Sequence, residues 1–84
     1  MVLVSKVARM ATNKAKAWLP PRGQYCVTDF HGRTHRKGFR SLAVAKEYAQ
    51  EHGGGAVDRR RNTKEGDMVP ICTVFESGFQ RNDF

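Results

Sequence analysis

Residues 24–51, QYCVTDFHGRTHRKGFRSLAVAKEYAQE, contain the patterns that decide the fold. The first part, residues 24–30, is rich in β-branched and aromatic side chains, which predicts a strand. The following His31-Gly32-Arg33 has the composition of a turn. Residues 34–39 are therefore expected to return as a second, shorter strand, so that this half of the stretch forms a hairpin.

The second half of the same stretch predicts an amphipathic helix. Ser41 precedes it and can cap the free amides of the first turn with its hydroxyl. The apolar positions recur at three- and four-residue steps, which places them on one buried stripe: Leu42, Ala45, Tyr48 and Ala49. Gly53 is well placed to end the helix in a left-handed conformation, and Gly53-Gly54-Gly55 together are interpreted as a helix terminator and flexible joint.

Two more strands are expected after the glycines. One begins at Ala56 and runs to about Thr63, and the other, Met68 to Glu76, contains the most apolar run of the chain, MVPICTVF. Pro70 has no amide hydrogen for a sheet ladder, so the strand is expected to lie at an edge or to be bulged there. Residues 77–84 show no periodicity and are expected to be a frayed tail.

Upstream, residues 1–19 read as a basic amphipathic helix that Pro20-Pro21 ends. It is expected to pack on the domain or to be an arm that orders on an anionic partner. Membrane-surface binding and an organellar presequence are less favoured, because Trp18 is its only bulky aromatic residue and it carries a single Arg. Its apolar stripe is Leu3, Val7, Met10, Ala11, Ala15 and Trp18.

The expected fold class is therefore α+β. A single domain spans residues 1–84, with a β-β-α-β-β core over residues 24–76. The core is a small antiparallel sheet of three to four strands packed against one central helix, and the N-terminal helix makes the full order α-β-β-α-β-β.

The charge of the chain has an unusual sign and distribution. Fifteen Lys and Arg residues against 8 Asp and Glu leave a net charge of +7 over 84 residues. The excess lies before residue 65, because residues 65–84 carry one basic and four acidic side chains. No apolar run is long enough to span a membrane, no secretory signal is visible, and two cysteines do not make a disulfide framework. A cytoplasmic protein with free thiols is the expectation.

Metal binding and catalysis have little support in the sequence. Cys26, His31 and His35 have the spacing C-x4-H-x3-H, and Cys72 is a conceivable fourth zinc ligand. A zinc finger would carry paired, closely spaced cysteines, whereas here each cysteine stands alone. Asp29 with the two histidines resembles a nuclease-like metal site only in residue types. No metal, cofactor or catalytic residue is predicted, and the protein is expected not to be an enzyme.

Nucleic-acid binding is the favoured function. Two basic clusters occur on the hairpin and the next strand, and if the sheet pairs as expected both border one face near two aromatic side chains. Arginine forks match phosphate oxygens, and an aromatic ring beside them can stack on an exposed base. The predicted site comprises Arg33, Arg36, Lys37, Arg40, Arg59, Arg60, Arg61 and Lys64, with Tyr25 and Phe39.

The alternative is a protein-protein inhibitor or modulator that docks on an acidic surface of a partner protein. Charge complementarity would steer the encounter and a few apolar anchors would hold it. The candidate anchors are Trp18, Tyr48, Phe75, Phe79 and Phe84. In its small size, basic charge and lack of a motif, the chain resembles small phage-encoded accessory proteins of the host-takeover or anti-defence type.

Overall fold

The computed structural model describes residues 18–83 and shows an α+β architecture of four strands and one helix. The predicted N-terminal helix, residues 1–19, lies outside the described residues except for its last two positions. The elements are, in chain order, β1 (Tyr25–Asp29), α1 (Leu42–Glu51), β2 (Gly54–Arg60), β3 (Met68–Phe75) and β4 (Gln80–Asn82).

The four strands form one antiparallel sheet in the order β1-β2-β3-β4, and α1 packs on one face of it. Val27 of β1 lies opposite Val57 of β2, which lies opposite Cys72 of β3, so these side chains share that face. The helix presents Ala45 and Ala49 to them, and all five residues are almost completely buried. Because alanine is small, the helix backbone can approach the sheet closely.

Both ends of α1 agree with the sequence-based prediction. The Ser41 hydroxyl accepts a hydrogen bond from the Val44 amide at 3.4 Å. Gly53, two residues after the last helical residue, has a φ of 87°. A left-handed residue at this position turns the chain back into β2.

The predicted returning strand over residues 34–39 is wrong as a continuous element. Only two isolated pairs form, Thr28 with Thr34 and Tyr25 with Phe39. From one pair to the other there are three residue steps along β1 but five along the loop. The loop therefore cannot pair with β1 residue by residue. The segment instead runs as an irregular loop along the edge of β1.

The boundaries of β2 and the geometry of β3 follow from two local features. Gly54 and Gly55 belong to β2 rather than to a flexible joint, and β2 ends at Arg60 rather than near residue 63. A Cβ on Gly55 would lie 2.5 Å from the Thr28 carbonyl oxygen, so glycine allows β1 to pair there. In β3, the predicted bulge beside Pro70 is confirmed, because the register shift leaves Ile71 without a partner on β2.

The tail predicted to be frayed contains β4. Gln80–Asn82 pair with β3 after a tight turn in which the Gly78 amide donates to the Phe75 carbonyl at 2.8 Å. Asp83 fixes the end of the chain by accepting hydrogen bonds from Thr73 Oγ1 and, at 3.0 Å, from Arg81 Nε. A three-residue strand is too short for the alternation that identifies strands from sequence.

Candidate nucleic-acid interface

An open groove lies on the helix-packed side of the sheet, beside the first turn of α1. Its volume is about 800 Å³, which falls within the range of small-ligand sites. Tyr25, Leu42 and Ile71 pack against the core, which fixes these parts of its wall. The groove is lined by Tyr25, Leu42, Arg59, Arg61, Asn62, Thr63, Val69, Pro70 and Ile71.

Two arginines of the groove lining keep their charge accessible. Arg59 lies directly opposite Tyr25, and its Nε is 3.4 Å from the Gly23 carbonyl oxygen, at the limit of a hydrogen bond. Arg61 Nε lies 3.7 Å from Asp67 Oδ2, with about half of each side chain exposed (54% and 53%). An exposed pair of this kind is weak. Neither contact is strong enough to prevent the two guanidinium groups from binding an anion that enters the groove.

The third arginine of the run has a different role. Arg60 donates from Nε to the Gly66 carbonyl at 2.9 Å and from Nη1 to the Pro20 carbonyl at 3.0 Å. Strand alternation turns its side chain to the opposite face of the sheet from Arg59. Arg22, which does not belong to the predicted site, donates to the carbonyls of Thr63 and Lys64 at 2.9 and 3.0 Å. Arg22 and Arg60 thus hold the loop after β2 in place.

Residues 31–40, the cationic loop, carry the remaining predicted cations along the edge of β1. Within the described part of the chain none of them forms an ion pair with a carboxylate. The loop side chains concerned are exposed: Arg33, Arg36, Lys37 and Arg40. The loop ends beside the groove, because Arg40 stands two residues before Leu42. Lys64 is exposed in the loop after β2.

The cationic loop is anchored by a chain of polar side chains. Asp29 Oδ1 accepts from the amides of His31 and Arg33 at 2.9 and 3.0 Å, and its Oδ2 lies 3.0 Å from His35 Nε2. His35 Nδ1 lies 2.8 Å from the Tyr48 hydroxyl on α1. The amide of Arg33, then the His35 ring, lower the pKa of Asp29 to about 2. The ionised carboxylate only accepts, so His35 Nε2 carries the hydrogen between them.

The two predicted aromatic residues lie in different environments. Tyr25 is half-buried and lines the groove. Phe39 is only 4% exposed and belongs to the core, with its ring centroid 5.0 Å from that of Tyr48. Lys37 Nζ lies 5.6 Å from the Phe39 centroid and 5.3 Å from the Tyr48 centroid, close enough for cation–π attraction. Phe39 therefore supports the loop from below, and Tyr25 is the ring that a ligand can reach.

The conceivable zinc ligands do not come together. Cys72 faces α1, whereas Cys26, opposite Asp58, faces the other side of the sheet. Among residues 18–83 no three His, Cys, Asp or Glu side chains are arranged to hold a metal ion. Burial, with a smaller contribution from the negative charge of Asp58, raises the pKa of Cys26 to about 11. Burial also raises the pKa of Cys72, so both thiols lack the character of activated nucleophiles.

Because the pKa of Asp29 is low in the folded state, its contribution to the free energy of unfolding should depend on pH. A carboxyl with a folded-state pKa of about 2 and an ordinary value of 3.8 favours the folded state above pH 3.8. That contribution is lost as the pH falls toward 2. Asp29→Asn should therefore lower the free energy of unfolding at pH 7 and approach the wild type near pH 2. Urea denaturation across this range measures the difference; exposed Glu47→Gln is the control, and a gap independent of pH would contradict the prediction.

Compared with models of known protein families, with curated proteins and with solved structures, the chain matches none of them. No helix within residues 18–83 has the length and apolar character needed to cross a membrane. The groove and the cations beside it are therefore the features from which we infer a function.

Proposed function

We propose that the protein binds nucleic acid and does not catalyse a reaction, contacting phosphates through the cationic loop and through Arg59 and Arg61. The observation that carries this proposal is the joining of two features. The exposed arginine and lysine side chains of the cationic loop lie along one edge of the sheet, and within the described chain they have no carboxylate partners. The loop ends beside the groove, whose lining includes the Tyr25 ring and both Arg59 and Arg61.

The physical basis is electrostatic. Phosphate contacts release condensed counterions, so the free energy of binding grows with the number of cations that reach the backbone. Arginine also matches two phosphate oxygens with two parallel hydrogen bonds. Arg33, Arg36 and Arg40 use none of their side-chain nitrogens in hydrogen bonds within the described residues. They are available for such contacts without breaking the fold.

The test is fluorescence anisotropy with labelled DNA and RNA at about 50 and 200 mM salt. Several phosphate contacts should reduce the affinity on the order of a thousandfold between these conditions. Arg36→Ala with Arg40→Ala should lower the slope of log K against log salt by about two, one for each contact removed. Lys46→Ala with Arg81→Ala removes the same charge from outside the loop and groove, and should change the slope much less.

A second function, docking on a partner protein, is favoured by a different surface. Phe30, Phe75 and Phe79 form an exposed aromatic cluster with centroid distances of 5.5 and 5.6 Å, and Phe30 and Phe79 are 55% and 65% exposed. Exposed aromatic clusters often anchor protein interfaces. The salt experiment separates the two functions, because a protein-docking role predicts no nucleic-acid binding even at about 50 mM salt. That result would contradict our proposal.

A further inference from the structure

We propose that the groove holds an unpaired nucleobase, so that the ligand is single-stranded nucleic acid; this inference rests on the nucleic-acid-binding function proposed above. The lining is mostly apolar and includes Tyr25, Leu42, Val69 and Ile71. These four side chains have nothing to offer a phosphate group, whereas Arg59 and Arg61 of the same lining do. Its ligand must carry a flat or apolar part next to its negative charge, which is the chemistry of a nucleotide.

The positions of the charged and aromatic groups fit that ligand. Tyr25 and Arg59 are directly opposed on β1 and β2, a relation that places Cβ atoms about 5 Å apart. A base stacked on the Tyr25 ring would therefore have its phosphate within reach of the Arg59 guanidinium. Arg61 and Asn62 also line the groove, and the Asn62 amide can both donate to and accept from a base edge.

Core packing holds the stacking surface ready. Tyr25 packs against the core and exchanges backbone hydrogen bonds of 2.8 Å with Phe39. Ile71 reaches the groove because the bulge in β3 leaves it unpaired with β2 while its side chain packs on the core. An aromatic ring held in this way binds a base without a conformational change.

Duplex DNA and RNA fit this site poorly. Their bases are paired and stacked inside the helix, so only the phosphates can meet Arg59, Arg61 and the cationic loop. The apolar part of the groove would then make no contact with the duplex. A single strand can supply the phosphates and the base together, and stacking should add roughly 10- to 100-fold in affinity.

The experiment compares a labelled single strand of about 12 nucleotides with the duplex of the same sequence, at one salt concentration. The wild type should bind the single strand more tightly. Tyr25→Leu keeps an apolar side chain against the core but removes the ring, and should weaken single-strand binding by roughly 10- to 100-fold. Duplex affinity should change little, and Tyr25→Phe should retain both affinities.

A second measurement uses the unaltered protein, in case Tyr25→Leu does not fold. Irradiation of a single strand that contains 5-bromouracil should give a covalent adduct on Tyr25, located by mass spectrometry. Salt-steep binding of both probes with equal affinity and no adduct at Tyr25 would overturn the single-strand inference and leave the proposed function standing. Failure of both probes to bind at about 50 mM salt would overturn both proposals.

Discussion

Replacement of Gly54 by alanine is expected to lower the free energy of unfolding by about 2–6 kcal/mol. Gly54 has a φ of 95°, a conformation that L-residues rarely adopt. An added Cβ would also lie 2.7 Å from the Phe30 ring and 2.8 Å from the Val74 carbonyl oxygen. The ring can move, but the Val74 carbonyl belongs to β3 and cannot. Alanine therefore introduces both backbone strain and a collision inside the sheet.

The neighbouring Gly53 provides the matched control. Its φ is 87°, but a Cβ there would meet nothing within 4 Å. Gly53→Ala should therefore cost only the strain of the left-handed conformation, about 1–2 kcal/mol. Thermal unfolding followed by circular dichroism compares the two, since 1 kcal/mol shifts the Tm of a domain this size by roughly 4–8 °C. Equal losses would mean that β2 and β3 can separate to admit the methyl group.

Substitution in the run of three arginines after Asp58 should separate stability from binding. Arg60→Ala removes two charged hydrogen bonds, to the carbonyls of Pro20 and Gly66. Both of these residues are buried. We expect a loss of about 2–4 kcal/mol in the free energy of unfolding. Arg59→Ala loses one long contact at 3.4 Å and should cost less than about 1 kcal/mol. The effects on nucleic-acid affinity should be the opposite. Arg59→Ala should lower the affinity roughly tenfold, and Arg60→Ala, where it folds, should change it little.

Each variant serves as the control for the other, because both remove one arginine from adjacent positions of the same strand. Chemical denaturation gives the stability of each variant, and fluorescence anisotropy at about 50 mM salt gives its affinity. Similar effects of the two substitutions on both quantities would show that the faces of β2 do not divide the roles.

The sequence predicted the fold where local signals and burial agree. The strand that became Tyr25–Asp29, the Ser41 cap, the alanine stripe of α1 and the bulge beside Pro70 all have strong local patterns. In each case the residue types at these positions favour the local conformation that the structure adopts. Such signals survive without knowledge of the tertiary contacts.

The prediction failed where distant contacts decide the structure. The pairing of Gly55 depends on the backbone of Thr28, and β4 depends on its pairing with β3 and on the hydrogen bond from Thr73 to Asp83. The register of the loop beside β1 depends on two extra residues that no composition reveals. These contacts join segments that the periodicity of one strand cannot relate to each other.

The structure also separates residues that the sequence grouped in one predicted site. Charge alone grouped Arg59, Arg60 and Arg61, but strand alternation and the carbonyls around Arg60 separate them. Phe39 and Tyr25 are neighbours across two backbone hydrogen bonds, yet Tyr25 lines the groove whereas Phe39 is buried in the core. The apolar part of the groove was missed because Leu42, Val69 and Ile71 look like ordinary core residues in the sequence. The bulge at Pro70 was its one visible signal.

The anchoring of the cationic loop by Asp29 and His35 has a consequence for the thermodynamics of association. A loop that becomes ordered only on its ligand loses about 1–2 kcal/mol of backbone conformational entropy for each residue fixed. Here the amides of His31 and Arg33 and the ring of His35 are already bonded in the free protein. Most of that entropy is lost during folding, and the ligand has only the arginine and lysine side chains left to order. Binding should therefore carry a small entropic penalty for so irregular a segment.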